Sequence, residues 1–490
     1  MNVLFVSAEM TPFAKVGGLA DVIGSLPKSL RGLGVDARII LPCYRFIDLG
    51  RIGALPLLSF QLPRPTGTTD VSLFQAEYDG VPVYFLRGWP YFGEETAVYS
   101  EWEWDVPRFI FFSQAVVAAA DALRDRAGWF PDVMHVNDWH TGLVPFLIAQ
   151  RRVEGSTWAR VGTLVGIHNL AYQGEHVGGW LWELGVPGRD HPELTSRGLT
   201  DNLLAISIAY SDIVTTVSPR YAIEIQYPYM GYGLEGLIRA RLDDLYGILN
   251  GIDDELWNPR TDPHLVANFG VEDFRTLRPL NKEALQREMG LEPRPDVPLI
   301  GMVTRLVWQK GIDLALPAMR RLLAGHDVQF VALGAGEPEY NEALWRLGAD
   351  FAWKSRANIG YNAAVAQHIY AGCDLFLMPS HYEPCGVGQM LAMRYGALPL
   401  VRETGGLADT VTNYDNAEAE TGTGFVFQWE EAEAVYYTLL WAIDVYRQRP
   451  AAWQRMQERA MSIDFSWRRS AREYVRLYEK AALKQRLPER

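Results

Sequence analysis

Short apolar runs alternate with longer amphipathic segments along almost the whole chain. The first run, residues 2–7, has the length and composition of a buried strand, and apolar residues then recur at helical spacing from Leu19 to Leu33. The alternation continues to a last predicted strand at residues 423–427. Strands that are separated by helices are typical of parallel, doubly wound sheets, so the pattern predicts an α/β fold.

The predicted strands fall into two groups. The first group comprises residues 2–7, 36–41, 71–78, 81–86, 133–137, 161–167 and 213–217. The second comprises residues 298–305, 328–334, 357–360, 374–379, 398–401 and 423–427, with helices between them, for example at 313–324 and 389–395. Because 490 residues are too many for one core, we predict two Rossmann-like domains, residues 1–246 and 247–462. The tail, 463–490, carries a helical pattern over 467–487 that we expect to cross back to the first domain.

Polar and glycine-rich segments follow the predicted strands at their carboxyl ends, where open parallel sheets bind ligands. They are residues 15–18, 137–140 and 166–169 in the first half, and 304–305, 334–336, 380–386 and 404–406 in the second. Since both halves contribute, we expect two doubly wound domains that face a cleft and close on a ligand there.

The composition narrows the range of partners. The chain has 46 Lys and Arg against 59 Asp and Glu, a net charge of −13, which argues against nucleic acid as the main partner. Cys43, Cys373 and Cys385 are scattered and show no metal or disulfide spacing, which indicates a reducing cytoplasm. The sequence predicts neither a signal peptide nor a membrane span, since it lacks a run of about 18 apolar residues.

The junction between the first strand and the first helix carries Lys15, Gly17 and Gly18. Glycines allow the backbone to approach a ligand closely, and a helix N-terminus favours an anion. Lysine adds a full positive charge. The segment therefore indicates a phosphate or diphosphate, although a tight turn with an exposed lysine is an equally good interpretation of this motif alone. It is neither a Walker A loop nor a G-x-G-x-x-G motif.

A second cationic segment, Arg305 and Lys310, follows the first strand of the second half. Two cations at a strand end can hold a diphosphate and stabilise it as a leaving group; the alternative is a pair of solvated charges. Glu383, between Tyr382 and Pro384 after the strand at 374–379, is a candidate for bonding a sugar and stabilising positive charge at a reacting carbon. Its alternative is a helix-capping role.

Asp138, His140, His168 and Asn169 follow two other strands, and we expect them to hydrogen-bond sugar hydroxyls. Metal ligation is the alternative for the histidines. It is disfavoured because no H-x-x-x-H or carboxylate-rich set accompanies them, and because the chain has no Asp-x-Asp. We therefore expect no metal and no other cofactor.

These motifs together resemble those of bacterial glycogen synthases and plant starch synthases. Residues 15–22 resemble the K-x-G-G-L-[AG]-D-V signature of that family, and the resemblance extends over essentially the full length. The other similar segments are 135–140, 168–174, 216–219, 247–253, 305–311, 382–386 and 404–411. The resemblance implies the GT-B fold, a final helix packed on the first domain, and a retaining glucosyltransferase that extends an α-1,4-glucan from ADP-glucose.

The resemblance also implies a role for each matching residue. Lys15, with Gly17 and Gly18, would meet the donor phosphates from the first domain, and Arg305 and Lys310 from the second. Glu383 would bond the glucose ring and support its positive charge; Asp138, His168 and Asn169 would orient glucose and acceptor. The remaining donor-binding positions are Tyr361 against the adenine, the backbone at Cys385 and Gly386, and the turn at Thr404, Gly405 and Gly406.

Two positions depart from the family pattern. Gly388 stands where the family usually has Thr or Asn, which removes a side-chain contact towards the distal phosphate, and Val16 stands where many bacterial enzymes have Thr. A preference for UDP-glucose is therefore the first alternative. A glucan phosphorylase, a nucleotide-sugar epimerase and a non-catalytic glucan-binding protein are the others. The sequence does not indicate an oligomeric state.

Overall fold

The chain folds into two compact units, each built on its own sheet. A computed structural model describes residues 1–153, 155–415 and 421–486. One unit comprises Met1–Gly251 together with the chain from Trp467, and the other comprises Ile252–Ser466. The predicted α/β class, with two mainly parallel sheets, is confirmed.

The sheet of the first unit has nine strands within the described residues, in the order β3-β4-β5-β2-β1-β6-β7-β8-β9. The strands are β1 Asn2–Val6, β2 Asp36–Pro42, β3 Leu55–Arg64, β4 Gly67–Tyr78, β5 Val81–Gly88, β6 Val133–Asn137, β7 Gly162–Ile167, β8 Ile213–Thr216 and β9 Leu245–Gly247. β1 lies at the centre and pairs in parallel with β2 and β6.

One edge of this sheet is antiparallel, which the sequence analysis did not predict. β4 pairs antiparallel with both β3 and β5. Asp79 and Gly80 join β4 to β5 with positive φ angles of 49° and 76°, the backbone that an Asp-Gly hairpin turn requires. β3 was missed because it is largely exposed and contains Pro56 and Pro63, features of an edge strand.

The helices of the first unit cover the faces of the sheet. They are α1 Gly18–Arg31, α2 Trp102–Ala127, α3 Val144–Ala149, α4 Gly178–Glu183, α5 Pro192–Thr195, α6 Leu203–Tyr210, α7 Pro219–Glu224, α8 Pro228–Gly231 and α9 Glu235–Ala240. Among the described helices, α2 alone is long and apolar enough to cross a membrane, but 83% of its apolar window is buried inside the protein. It is therefore a core helix of this unit.

The second unit has a six-stranded, wholly parallel sheet within the described residues, in the order β12-β11-β10-β13-β14-β15. Its strands are β10 Leu299–Val303, β11 Gln329–Gly334, β12 Ser355–Ile359, β13 Leu375–Met378, β14 Leu398–Arg402 and β15 Phe425–Phe427. Its helices are α10 Phe274–Glu288, α11 Ile312–Gly325, α12 Pro338–Asp350, α13 Ala363–Gly372, α14 Gly388–Arg394, α15 Gly405–Thr410, α16 Ala432–Gln448 and α17 Pro450–Met461.

The last helix, α18 Trp467–Lys484, packs on the first unit, as the sequence predicted. The hydroxyl of Tyr478 lies 2.8 Å from Nδ1 of His135 on β6. A Cβ on Gly162 would come within 2.7 Å of the backbone of Ala481, so the helix lies directly against β7. The predicted helix end at 487 lies outside the described residues.

The borders of the two units fall slightly later than the predicted borders at 246 and 462. The chain after β9 still belongs to the first unit, because the N–H of Ile248 bonds the carbonyl of Thr216 and Ser470 Oγ bonds the carbonyl of Leu249. The second unit begins at Ile252, whose N–H donates to the carbonyl of Phe465.

Candidate active site

An ion pair between a partly buried lysine and a buried glutamate lies at the carboxyl edge of the second sheet. Lys310 Nζ lies 2.8 Å and 2.7 Å from the two carboxylate oxygens of Glu383, and Ser380 Oγ donates to Oε2 at 3.1 Å. Lys310 ends a 3₁₀ turn, Trp308–Lys310, after β10, and Glu383 lies in the loop after β13. Two motifs that are far apart in sequence thus lie together in one site.

The close approach of these two segments depends on Gly311. Its φ is +67°, and a Cβ there would lie 2.0 Å from the carbonyl oxygen of Pro379. The 3₁₀ turn therefore lies directly on the chain that leaves β13 and leads to Glu383.

Arg305 belongs to the same edge but is exposed. Its guanidinium donates to Gln309 Oε1 at 3.5 Å, and Gln309 Nε2 donates to the carbonyl of Tyr382 at 3.3 Å. Because Arg305 has no carboxylate partner among the described residues, its charge is available to an anion from solvent.

The turn at Thr404, Gly405 and Gly406 packs on the loop that carries Glu383. The N–H of Gly406 donates to the carbonyl of Glu383 at 3.1 Å. A Cβ on Gly405 would lie 1.9 Å from that oxygen, and one on Gly406 would lie 2.0 Å from the carbonyl oxygen of Cys385. The backbones meet so closely that these positions require glycine.

The other predicted residues of this unit differ in placement. Cys385 is buried in the loop beside Gly386, which has a positive φ of 72°. Tyr361 follows β12 and is 85% exposed, so its ring is open to solvent. A Cβ on Gly388 would meet Phe376 at 3.2 Å and Met378 at 3.3 Å, so a larger side chain there would crowd this part of the core.

His381 is a feature of this loop that the sequence analysis missed. Its Nδ1 lies 2.5 Å from Glu430 Oε1, its Nε2 lies 2.8 Å from Asp313 Oδ1, and its ring stacks on Trp308 at 4.1 Å between centroids. Arg402 donates to the carbonyls of Ser380 and His381. The backbone that leads to Glu383 is therefore fixed by these hydrogen bonds as well as by the contacts of the His381 ring.

In the first unit, a buried glutamate occupies the loop that precedes α1. Glu9 Oε2 accepts the N–H groups of Val16 and Gly17 at 2.8 Å and 2.7 Å, and Oε1 accepts the hydroxyl of Tyr99 at 2.5 Å. The helix N-terminus was expected to bind an external anion through its backbone N–H groups. These two are already bonded to Glu9, which no local motif revealed.

The side chain of Lys15 lies at the surface of the first unit. Its ammonium pairs with Asp21 at 2.7 Å, and both side chains are about half exposed. A Cβ on Gly17 or Gly18 would meet no other described atom within 4 Å, so the space beside these glycines is open. An exposed pair of this kind contributes little stability, which leaves the ammonium available to another anion.

Asp138 is buried and holds the chain after β7. Its Oδ1 accepts the N–H of His168 at 2.8 Å. Burial raises the pKa of Asp138 to about 7; the backbone hydrogen bonds from His168 and Asn169 oppose this rise, and the charge of Glu9 adds to it. The carboxyl thus positions the His168–Asn169 segment through the backbone. Asn169 Oδ1 itself accepts the N–H of Ala171 at 3.1 Å.

The two histidines of this region are held in the neutral form. His168 Nε2 lies 2.9 Å from Asn137 Oδ1, and burial lowers the pKa of His168 to about 4. Burial, with a smaller effect of the Arg108 charge, lowers the pKa of His140 to about 3, and its ring stacks on Tyr99. A neutral imidazole can donate or accept a hydrogen bond, but it adds no charge.

The described residues contain no group of three or more His, Cys, Asp or Glu side chains placed to hold a metal ion. The independence of the reaction from metal stays a prediction.

Family models match both units. The model described as the starch synthase catalytic domain matches residues 2–240, and the model described as glycosyl transferases group 1 matches residues 288–455. With two Rossmann-like sheets and a cationic edge beside a carboxylate, the chain is a glycosyltransferase of the GT-B fold.

Individual relatives show which family this chain belongs to. The glycogen synthases of Syntrophotalea carbinolica and Geobacillus stearothermophilus are 42% and 43% identical to this chain, over 98% and 99% of it and 99% of each relative. The catalytic domain of starch synthase IV from Arabidopsis thaliana, solved with ADP and acarbose bound, has a TM-score of 0.87 at 34% identity, with 98% of this chain and 99% of that chain covered. The chain belongs to the family of glycogen and starch synthases.

A more distant solved structure shares the fold alone. The sucrose-phosphate synthase from Thermosynechococcus elongatus has a TM-score of 0.62 at 17% identity, over 99% of both chains.

Proposed function

We propose that this glucosyltransferase moves glucose from ADP-glucose to the 4-hydroxyl at the non-reducing end of an α-1,4-glucan, with retention of configuration and release of ADP. The observation that carries the proposal is the pair of Lys310 with buried Glu383, beside exposed Arg305. ADP and acarbose, bound together in the Arabidopsis relative, support the choice of an adenine nucleotide and a glucan-like ligand.

The proposed chemistry uses the charges of this edge. As the bond from the sugar to the diphosphate breaks, positive charge develops on the ring and negative charge on the leaving phosphate. Glu383 stabilises the first, and Arg305 with Lys310 stabilises the second. The acceptor hydroxyl attacks from the same face and gives its proton to a departing phosphate oxygen, so neither a separate protein base nor a metal is needed.

Lys310 has two tasks in this scheme. In the structure its ammonium lies against both oxygens of Glu383 and offsets the cost of burying that carboxylate. When a diphosphate binds, the flexible lysine has one further N–H to donate to it. The ion pair thus keeps Glu383 in place before the donor arrives.

The remaining predicted residues keep their proposed roles. Lys15, with the open space at Gly17 and Gly18, is proposed to meet the donor phosphates, and the turn at Thr404–Gly406 is proposed to hold the diphosphate. The backbone at Cys385 and Gly386 is proposed to act with Glu383 on the glucose ring, and Tyr361 is proposed to stack on the adenine. Asp138, His168 and Asn169 are proposed to orient glucose and acceptor. We also propose a cytoplasmic location and activity without a cofactor.

The test is release of nucleoside diphosphate from ADP-glucose and from UDP-glucose, measured in parallel with and without glycogen. We expect glycogen-dependent release that is faster from ADP-glucose. Faster release from UDP-glucose would mean that UDP-glucose is the preferred donor. Release without any glucan acceptor would favour a hydrolase, and no release would favour a nucleotide-sugar epimerase or a glucan-binding protein.

A further inference from the structure

A groove on the second unit lies outside the residues assigned above. It has a volume of about 640 Å³, which is within the range of ligand sites, and it lies between α15, β15 and α16. α15 separates the groove from the Glu383 loop: Gly405 and Gly406 contact that loop, whereas Ala408 lines the groove.

Four aromatic side chains line this groove: Phe427, which is buried, and Trp429, Tyr437 and Trp441. Trp429 is 71% exposed and Tyr437 is 57% exposed. Large aromatic residues grouped on a surface mark binding sites, whereas single exposed ones need no explanation. This group of exposed aromatic side chains therefore indicates a ligand-binding surface.

Two of these rings, Tyr437 and Trp441, are restrained before any ligand binds. The guanidinium of Arg321 lies 5.5 Å from the centroid of the Tyr437 ring and restrains it. Trp441 packs edge-on against Phe425, with 5.1 Å between centroids and 86° between planes. Rings that are already held lose little conformational entropy on binding.

Polar groups stand beside the rings. Glu403 Oε2 accepts from Gln428 Nε2 at 2.8 Å, and Asn413 Oδ1 accepts the N–H of Val426 at 2.8 Å. A carboxylate has about four acceptor positions and a side-chain amide has two donor hydrogens, so each retains capacity for a further partner. The groove thus offers flat apolar faces with donors and acceptors at their edges.

The charge of the groove limits the kinds of ligand that it can bind. Among the described residues that line it, Glu403 carries the only formal charge, and a carboxylate disfavours phosphates and other anions. A pyranose ring is neutral, has an apolar face that can stack on an aromatic ring, and presents hydroxyls at its edge. We propose that this groove is a second, non-catalytic site that binds a segment of the α-glucan chain.

This proposal rests on the proposed function only for the identity of the polymer. A second contact would hold a long glucan near the enzyme through many transfers, since linked contacts raise the effective concentration of the chain. Short acceptors, which cannot reach both places, would gain nothing. The groove therefore affects the use of polymer and leaves the transfer step unchanged.

The test is migration of the full-length protein in native gels that contain glycogen, with Trp429→Ala and Tyr437→Ala as variants. Trp353→Ala is the matched control, because Trp353 is 69% exposed on the same unit but does not line the groove. We expect the Trp429→Ala/Tyr437→Ala double variant to bind glycogen about tenfold more weakly, a loss of about 1.4 kcal/mol. Trp353→Ala should bind like the wild type, and all variants should retain wild-type rates with maltotriose.

Unchanged retention of the double variant, or an equal loss in Trp353→Ala, would overturn the proposal. So would suppression by ADP of the part of retention that depends on Trp429, because the groove would then bind a nucleotide. A wild type that fails to release ADP from ADP-glucose would refute the proposed function, but gel retention would still decide the groove.

Discussion

Glu383 and Lys310 form one ion pair, so a change in either alters the surroundings of the other. Glu383→Ala should lower kcat by several orders of magnitude and change the KM for the donor far less, because the carboxylate is proposed to act on charge that develops in the transition state. The same change leaves the partly buried Lys310 ammonium without its partner, which should cost about 2 kcal/mol of unfolding free energy.

Steady-state kinetics and urea unfolding separate these two effects. Glu383→Gln is the matched control, since the amide keeps the size and an acceptor oxygen but loses the charge. It should fold better than Glu383→Ala and remain nearly as inactive. A kcat close to that of the wild type in either variant would make Glu383 a structural residue.

Asp138 gives a pH-dependent prediction. Its pKa is raised from 3.8 to about 7 in the folded protein, so between these values the folded state binds more protons than the unfolded state. The stability contribution of this carboxyl is therefore fully present below pH 3.8 and is lost as the pH rises through 7.

Asp138→Asn removes this titration while it keeps an oxygen for the N–H of His168. The stability of the variant relative to the wild type should therefore rise between pH 5 and pH 8, by about 2.6 kcal/mol. Urea unfolding of both proteins at the two pH values measures the difference, and the histidine titrations cancel in it. A difference that does not depend on pH would contradict the raised pKa.

Some site residues were found from sequence and others were not, for a physical reason. Lys310 and Glu383 stand in local motifs at strand ends, where the fold predicts ligands. Glu9 and His381 act through partners distant in sequence: Tyr99 is 90 residues from Glu9, and Asp313 and Glu430 are 68 and 49 residues from His381. Pairs of this kind become visible only when the strands are assembled.

At the scale of elements, the 3₁₀ turn after β10 depends on Gly311. Gly311→Ala would impose a positive φ on alanine and place its Cβ 2.0 Å from the Pro379 carbonyl oxygen. We expect a loss of about 1–3 kcal/mol in unfolding free energy and a lower kcat, because the turn carries Lys310.

Gly325→Ala is the matched control for this change. Gly325 ends α11, the helix that follows Gly311, and a Cβ there would meet no described atom within 4 Å. Thermal unfolding and kcat should stay near wild-type values in this variant. Equal behaviour of the two variants would mean that the turn tolerates a shift of its backbone.

Strands were predictable where they are buried and parallel, because such strands are continuous apolar runs. β6 was predicted with its observed bounds, Val133–Asn137, and all six strands of the second sheet were found within a few residues. β3 and β9 were missed. The first is an exposed edge strand with prolines, and the second has three residues, too few for any periodicity.

At the scale of the whole molecule, two sheets and a helix that returns to the first sheet were predictable from the alternation of patterns alone. The borders of the units were less predictable, because they depend on hydrogen bonds that Ile248 and Ile252 make to distant parts of the chain. The net charge of −13 makes the local grouping of Arg305 and Lys310 necessary for holding an anionic donor, and it imposes no cost on a neutral glucan.

The central claim is that this molecule transfers glucose from ADP-glucose to a glucan without a metal. The most direct test is the initial rate of ADP release from ADP-glucose, measured with glycogen in the presence of excess EDTA, with UDP-glucose and a reaction without glycogen in parallel. The account predicts rapid release that requires glycogen, is faster than release of UDP from UDP-glucose, and is unaffected by EDTA. Activity that is lost in EDTA and restored by Mg²⁺ or Mn²⁺, or that is greater with UDP-glucose, would contradict it.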